Sequence, residues 1–337
     1  KPHGHLQLIC FRQSQNLFIM AKLYRQIRRP FETAFFWTAL HLIPLLPRCV
    51  VLSMAWVGGS LGFLLDAHGR AIGLANLNVA FGKTKSPAEQ KRILRQSFIT
   101  MARTMLDVIW FGAFSTRRLK KYVRLDESMQ PLLCDKNQVC ITAHYGNWET
   151  VGQMMAQRGF PFHSIAMPVK NAVVNDLLIK RREITGQKII PREGALRKLL
   201  HVLRNNGKTA FLVDQNTTEF EGGIWANYFG LPVPVTPAPA ALAAKTNSEI
   251  FIGFCAPQPR GRYLVYITQT ISPPADSSRE TIQQLTQQTL TAIECEVRMH
   301  PEHWLWLYKR WKIKKPGSET AGYPFYSDAA TGASPTE

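Results

Sequence analysis

His144 and Glu149 place an imidazole and a carboxylate within the run His144-Tyr145-Gly146-Asn147-Trp148-Glu149. At a spacing of five, two side chains on one helix point roughly 140° apart. They can work together only across a strand-to-helix junction, with His144 in the turn and Glu149 in the first helical turn. The preceding apolar run, Val139-Cys140-Ile141-Thr142-Ala143, reads as a buried strand. The chemistry available to such a unit is general-base catalysis, in which a carboxylate orients the ring and the other ring nitrogen takes a proton. Taken alone, the pattern also fits a histidine capping a helix and a glutamate favoured by its dipole.

Three later segments carry further polar groups. Arg192, just ahead of a helical stretch, could grip a phosphate or carboxylate with its two-pronged guanidinium, or be a solvated surface charge. Asp214-Gln215-Asn216 closes the apolar run Thr209-Ala210-Phe211-Leu212-Val213, where α/β proteins place function, although Asp and Asn also favour plain turns. Residues 301–312 interleave tryptophans with basic residues, a pattern that suits stacking on single-stranded nucleic acid, a membrane interface or a core. Residues 228–236 read as a rigid apolar loop that could wall a lipid groove. No GxSxG elbow is present and no cysteine is obviously paired with a histidine, so the motifs of nucleophilic catalysis are missing. His300 and His303 lack a third ligand, and no metal is expected.

The elements that must position these groups follow from periodicity. Candidate strands are 138–143, 162–167, 209–213, 250–255 and 263–270, with helices at 89–111, 172–186, 194–206 and 279–299. Strand–helix alternation argues for an α/β fold. Ahead of it, the apolar stretch 35–65, broken by Pro44, Pro47 and Arg48, fits a tilted transmembrane helix, a re-entrant hairpin or a buried helical pair. Trp37, Trp56 and the basic flank favour membrane anchorage. The expected organisation is a tag or upstream extension over 1–19, a hydrophobic anchoring region over 20–68, a catalytic domain over 69–315 and a disordered tail over 316–337.

The 337 residues are 45% hydrophobic, enough for a substantial core. The formal net charge of +18 points to anionic partners: nucleic acid, anionic lipid headgroups or an acidic carrier protein. The six cysteines show neither a CxxC pair nor a disulfide-framework spacing; most sit in apolar strings and read as reduced core residues of a chain facing the cytoplasm.

Taken in order, these blocks resemble the bacterial late acyltransferases of lipid A biosynthesis, within the lysophospholipid acyltransferase superfamily, over roughly residues 30–315. His144 and Glu149 match the HX4D/E motif. Pro168-Val169-Lys170-Asn171 is similar to an Arg-Pro-Leu-Lys-Asn block, with Met167 standing where the arginine is usual. Arg192, Asp214-Gln215, Tyr228-Phe229-Gly230 and the Pro301–Trp311 ending also match family blocks. The resemblance implies a central mixed sheet flanked by helices, glycerolipid acyltransferase-like, with an N-terminal hydrophobic anchor. It implies direct acyl transfer from an acyl carrier protein or acyl-CoA to a lipid hydroxyl, with no cofactor beyond that thioester and no nucleic-acid partner. The acceptor expected first is a lipid A precursor, with a lysophospholipid, glycolipid or aminolipid as the alternative and a non-catalytic membrane or nucleic-acid binding protein as the rival class. His144 would be the base, Glu149 would hold the imidazole, and backbone amides after His144 could stabilise the oxyanion. Asn147, Lys170, Asn171, Arg192, Asp214 and Gln215 would contact substrate. The expected location is the bacterial inner membrane, among its phospholipids, with the catalytic domain on the cytoplasmic side.

Overall fold

The computed structural model describes residues 30, 32–169, 171–273, 275–318 and 322–329. Its centre is a seven-stranded sheet ordered β1-β9-β8-β2-β5-β3-β4. The strands are β1 (Val123–Leu125), β2 (Gln138–Thr142), β3 (Phe162–Ala166), β4 (Lys188–Pro191), β5 (Lys208–Leu212), β8 (Glu249–Gln258) and β9 (Arg262–Ile271). All neighbours are parallel except β8 and β9, which form a long antiparallel pair. The fold is thus α/β with a mixed sheet. Apolar side chains on both faces, such as Val139 and Ile141 on one and Cys140 and Phe251 on the other, require helical cover on both sides.

That cover comes from α4 (Pro87–Phe111), α6 (Trp148–Gln157), α7 (Ala172–Glu183), α8 (Ala195–Arg204), α9 (Ala238–Thr246) and α10 (Arg279–Met299). Residues 228–236, expected to be a loop, belong to a hairpin of β6 (Ile224–Tyr228) and β7 (Leu231–Val235). Phe229 and Gly230 occupy its turn with φ of 50° and 80°, the left-handed region a tight hairpin needs. Tyr228 and Phe229 are buried against Trp304, Trp306 and Trp311. All three tryptophans are core residues, which removes them as a stacking surface or membrane belt. Residues 322–329, inside the stretch expected to be disordered, pack back on the body. There, Tyr326 is buried and its hydroxyl donates to Asn76 Oδ1.

The N-terminal apolar region folds as residues 32–42 of helix, then α2 (Arg48–Leu65) and α3 (Ala67–Phe81). α2 runs antiparallel along α4. Arg48 pairs with Asp107, and Ser60 accepts from Arg95. A Cβ on Gly59 would lie 2.4 Å from Ile99 Cα, so only glycine permits this approach. The opposite face of α2 exposes Met54, Trp56, Val57, Leu61 and Leu64. The stretches expected as a hydrophobic region (20–68) and as a separate domain (69–315) therefore share one packed helix pair, α2 against α4.

Candidate active site

Two parallel neighbours, β2 and β5, end level with each other: Thr142 pairs with Leu212. His144 and Asp214 each follow two residues later, at the carboxyl end of the sheet where α/β folds gather functional groups. His144 Nδ1 lies 2.8 Å from Asp214 Oδ1, and the His144 amide donates to Asp214 Oδ2 at 2.9 Å. Trp304 Nε1 donates to the same Oδ2 at 2.8 Å. The carboxylate is 3% exposed and accepts three hydrogen bonds, so it is fixed as an anion facing the ring.

Burial works against a charged His144, but the charge and hydrogen bond of Asp214, with the charge of Glu149, outweigh it and raise the imidazole above its ordinary value. For Asp214, burial alone would raise the carboxyl. The His144 interactions and the Trp304 hydrogen bond overcome this and hold it below the usual range. With Nδ1 donating to Asp214, Nε2 is left as the basic nitrogen. Gln215 Nε2 stands 3.4 Å from it, and Trp148 packs edge-on against the ring.

His144, Trp148, Arg192 and Gln215 line the same cavity of about 670 Å³. It extends between α6 and the sheet face carrying Thr142, Leu212, Cys140, Ala210 and Ser164, and reaches Met129 and Leu132 on the far side. Cys140 lines it, but burial pushes its thiol up to about 12, which removes it as a nucleophile.

Glu149, expected to hold the imidazole, binds elsewhere. Its carboxylate takes both prongs of Arg182, from Nε at 2.8 Å and Nη2 at 2.6 Å, tying α6 to α7 at the cavity wall. Asp214 holds the ring instead, because the strand register delivers it directly to Nδ1 whereas Glu149 sits on the helix beyond the turn. Asn147, expected at substrate, is fully buried: it caps α6 by accepting from Thr150 and donates to Asp107 Oδ2 at 3.2 Å. Asn171 caps α7 through Val173 and Val174. Lys170 lies outside the described residues. Arg192 reaches the cavity mouth, where Glu221 Oε1 accepts from its Nη2 at 2.5 Å. An anion binding Arg192 must compete with that carboxylate. Met167 is exposed beside it, its sulfur 3.8 Å from Arg192 Nη1.

The turn amides are also committed. Tyr145 N donates to Ala143 O, Gly146 N to His303 O and Asn147 N to Cys255 O. They cannot serve as the oxyanion donors anticipated from the sequence. Their work is to fix the turn, aided by Thr104 Oγ1 donating to Gly146 O at 2.7 Å. Thr104 belongs to a polar stripe on α4: Ser97, Thr100, Thr104 and Asp107. Ser97 and Thr100 donate to the carbonyls of Trp304 and Glu302, and Asp107 accepts from Arg48, Asn147 and Tyr263. This stripe and Arg182 are the residues that sequence reasoning missed; Trp304 was singled out within 301–312, but not as a partner of Asp214. Spacings of three and four along α4 are a legible signal for the stripe; Arg182 carries none of its own.

A histidine–carboxylate pair at the carboxyl end of a mixed sheet, opening into a largely apolar cavity, defines an α/β protein with a candidate active site at that sheet edge. The chain belongs to the family of bacterial lipid A biosynthesis acyltransferases, whose pattern matches residues 21–313. It is 26% identical over 192 residues to a phosphatidylinositol mannoside acyltransferase of Mycobacterium tuberculosis, covering 56% of this chain and 58% of that protein. It is 23% identical over 242 residues to the protein of that name from Mycolicibacterium smegmatis, covering 69% and 77%. A lipid A biosynthesis acyltransferase of Haemophilus influenzae is 20% identical over 239 residues, covering 68% and 72%. Among solved structures, the 1-acyl-sn-glycerophosphate acyltransferase of Thermotoga maritima aligns over 73% of this chain and 96% of its own, with a TM-score of 0.35 and 14% identity.

Proposed function

We propose that the protein is a membrane-associated acyltransferase that moves a fatty acyl chain from a thioester to a lipid hydroxyl, with His144 as general base. The observation that carries this reading is His144 Nε2 facing a deep, mostly apolar cavity while Asp214 holds Nδ1. In the reaction, Nε2 takes the acceptor hydroxyl proton as the oxygen attacks the thioester carbonyl. The C–S bond of the tetrahedral intermediate then breaks, and the imidazolium returns the proton to the departing thiolate. Asp214 stabilises the transient imidazolium without itself taking the proton. With the turn amides engaged, the Gln215 amide beside Nε2 is the side-chain donor best placed for the developing oxyanion.

The donor is an acyl carrier protein or acyl-CoA, in keeping with the basic chain and with Arg182 and Arg192 at the cavity. A lipid A precursor fits the family. A glycolipid acceptor is the second reading, supported by the higher identities to the mannoside acyltransferases. Membrane attachment rests on α2. It is the one helix among the described residues with the length and composition of a span, and most of it is uncovered. Because α2 is pinned along α4 by Arg48 and Gly59, we read it as lying in the bilayer interface, on the cytoplasmic face of the inner membrane, rather than crossing alone.

The test is acyl transfer by the full chain with acyl-carrier-protein and acyl-CoA donors and a panel of lipid A precursors and glycolipids, read by mass spectrometry of the lipids. His144→Ala should abolish the product; near-wild-type turnover by a folded His144→Ala protein would remove the base.

A further inference from the structure

The cavity is not uniformly apolar. Gln187 is 8% exposed, lines the cavity, and donates from Nε2 to Ser164 Oγ at 3.2 Å, while its Oε1 is buried without a partner. Ser164 lines the cavity as well, with its hydroxyl proton free to donate, and Thr142 Oγ1 is a second buried, unpartnered atom on the same wall. Room for the Gln187 amide comes from Gly152 of α6, where a Cβ would meet the amide atoms at 2.3 to 2.5 Å. A saturated chain threaded past this spot would leave the carbonyl of Gln187 dry and unpaired, which is costly in a buried site.

We propose that the cavity selects an acyl chain bearing a hydroxyl in its distal half, recognised by Gln187 and Ser164. This rests on the acyltransferase reading above and names its donor class. Gln187 Oε1 is enclosed beside Gly152, so the amide would turn toward the cavity as the chain enters; the chain hydroxyl then donates to Oε1 and accepts from the Ser164 hydroxyl. The strand register sets the position. Ala210 pairs with Ser164 on one side and Cys140 on the other. That row lies four residues before Asp214 and His144, about 13 Å along the strands from the level of that pair. A hydroxyl on the carbon β to the carbonyl stays at the mouth beside His144. One at the far end of an extended lauroyl chain reaches Gln187.

The experiment is displacement of the fluorescent fatty acid cis-parinarate from the full-length protein by laurate, β-hydroxylaurate and ω-hydroxylaurate. The ω-hydroxy acid should displace the probe at concentrations about tenfold lower than laurate, the worth of one buried hydrogen bond, and β-hydroxylaurate should gain nothing. Gln187→Leu should abolish or invert the preference. Ser164→Ala, which removes only a hydroxyl, should weaken it and decides the matter if the leucine variant does not fold. Equal displacement by laurate and ω-hydroxylaurate, or a preference surviving both substitutions, overturns the proposal alone. Displacement by none of the three overturns the acyl-chain reading of the cavity itself.

Discussion

Asp214 lies 70 residues from His144 in sequence, yet its Oδ1 sits 2.8 Å from Nδ1 and its Oδ2 accepts the His144 backbone amide. Ring and backbone are gripped by one carboxylate, so the imidazole plane and the turn that carries it cannot move independently. The two carboxylates around His144 thereby separate in role: Asp214 orients the ring, and Glu149 clamps Arg182 while adding a more distant negative charge.

That division predicts an order of effects. Asp214→Asn leaves the shape but removes the charge that fixes the tautomer, so kcat for acyl transfer should fall by about 10²–10⁴-fold, the usual range for a general base. Glu149→Gln leaves the Asp214–His144 pair intact and should cost less in kcat while lowering stability, because Arg182 loses its partner. Steady-state kinetics and chemical denaturation on the same variants check both. A Glu149→Gln enzyme slower than Asp214→Asn would reverse the assignment.

The pH profile follows from the raised imidazole. A general base of the kind proposed for His144 must be neutral in the free enzyme, so kcat/KM should climb with pH and reach half-maximum above the ordinary imidazole value of 6.5. In Asp214→Asn the opposing burial is left dominant and the midpoint should move down. Trp304→Phe removes one donor to Asp214 and makes that carboxylate more basic; the His144 midpoint should then move up. Opposite displacements in the two variants, read from kcat/KM between acid and mildly alkaline pH, are the signature. The pair also links to stability. The His144 contribution is complete below about 6.5 and fades as pH rises through the raised value, whereas that of Asp214 fades as pH falls through its lowered one.

Much of the frame was legible because β2, β3, β5, β8, β9, α4 and α10 carry long apolar runs or clean helical periods. β1 and β4 were not, being short edge strands whose pairing is decided by their neighbours. The site was legible as parts and misread as a unit. His144 and Asp214 both terminate apolar runs, but only the register of β2 against β5 shows that they end level. Glu149 is nearer in sequence, and that nearness misled, since a helix start turns its carboxylate toward α7. The tryptophans of 301–312 resembled an interface because alternating basic residues hide how fully Trp304, Trp306 and Trp311 are enclosed by the β6–β7 hairpin and α4.

The link between α2 and α4 yields a separate expectation. Arg48 is buried with Asp107, which also accepts from Tyr263 and Asn147. Arg48→Met leaves that carboxylate without its countercharge and should cost about 3–5 kcal/mol. Since Asn147 caps α6, activity should fall as well. Asp107→Asn with Arg48→Met, which removes both charges, should recover part of the loss. A double variant no more stable than either single one, by denaturation in detergent, would show that the pair does not couple α2 to the active-site turn.

Gly146 is where the turn has least freedom. Its φ is +55°, and a Cβ would stand 1.9 Å from the Cys255 carbonyl oxygen, backbone that cannot swing aside. Gly146 N and Asn147 N donate to His303 O and Cys255 O from this close approach. Alanine therefore meets two penalties: the left-handed conformation, about 1 kcal/mol or more for a residue with a Cβ, and a clash relieved only by breaking those bonds. Gly146→Ala should fold with reduced stability but displace His144 from Asp214, lowering kcat on the order of 10²-fold, as misplacement of about 1 Å can do. Measured by NMR, the His144 ring should lose its raised pKa in step with the loss of turnover. An alanine enzyme with wild-type kcat and an unchanged His144 titration would mean that the turn tolerates movement the base does not feel.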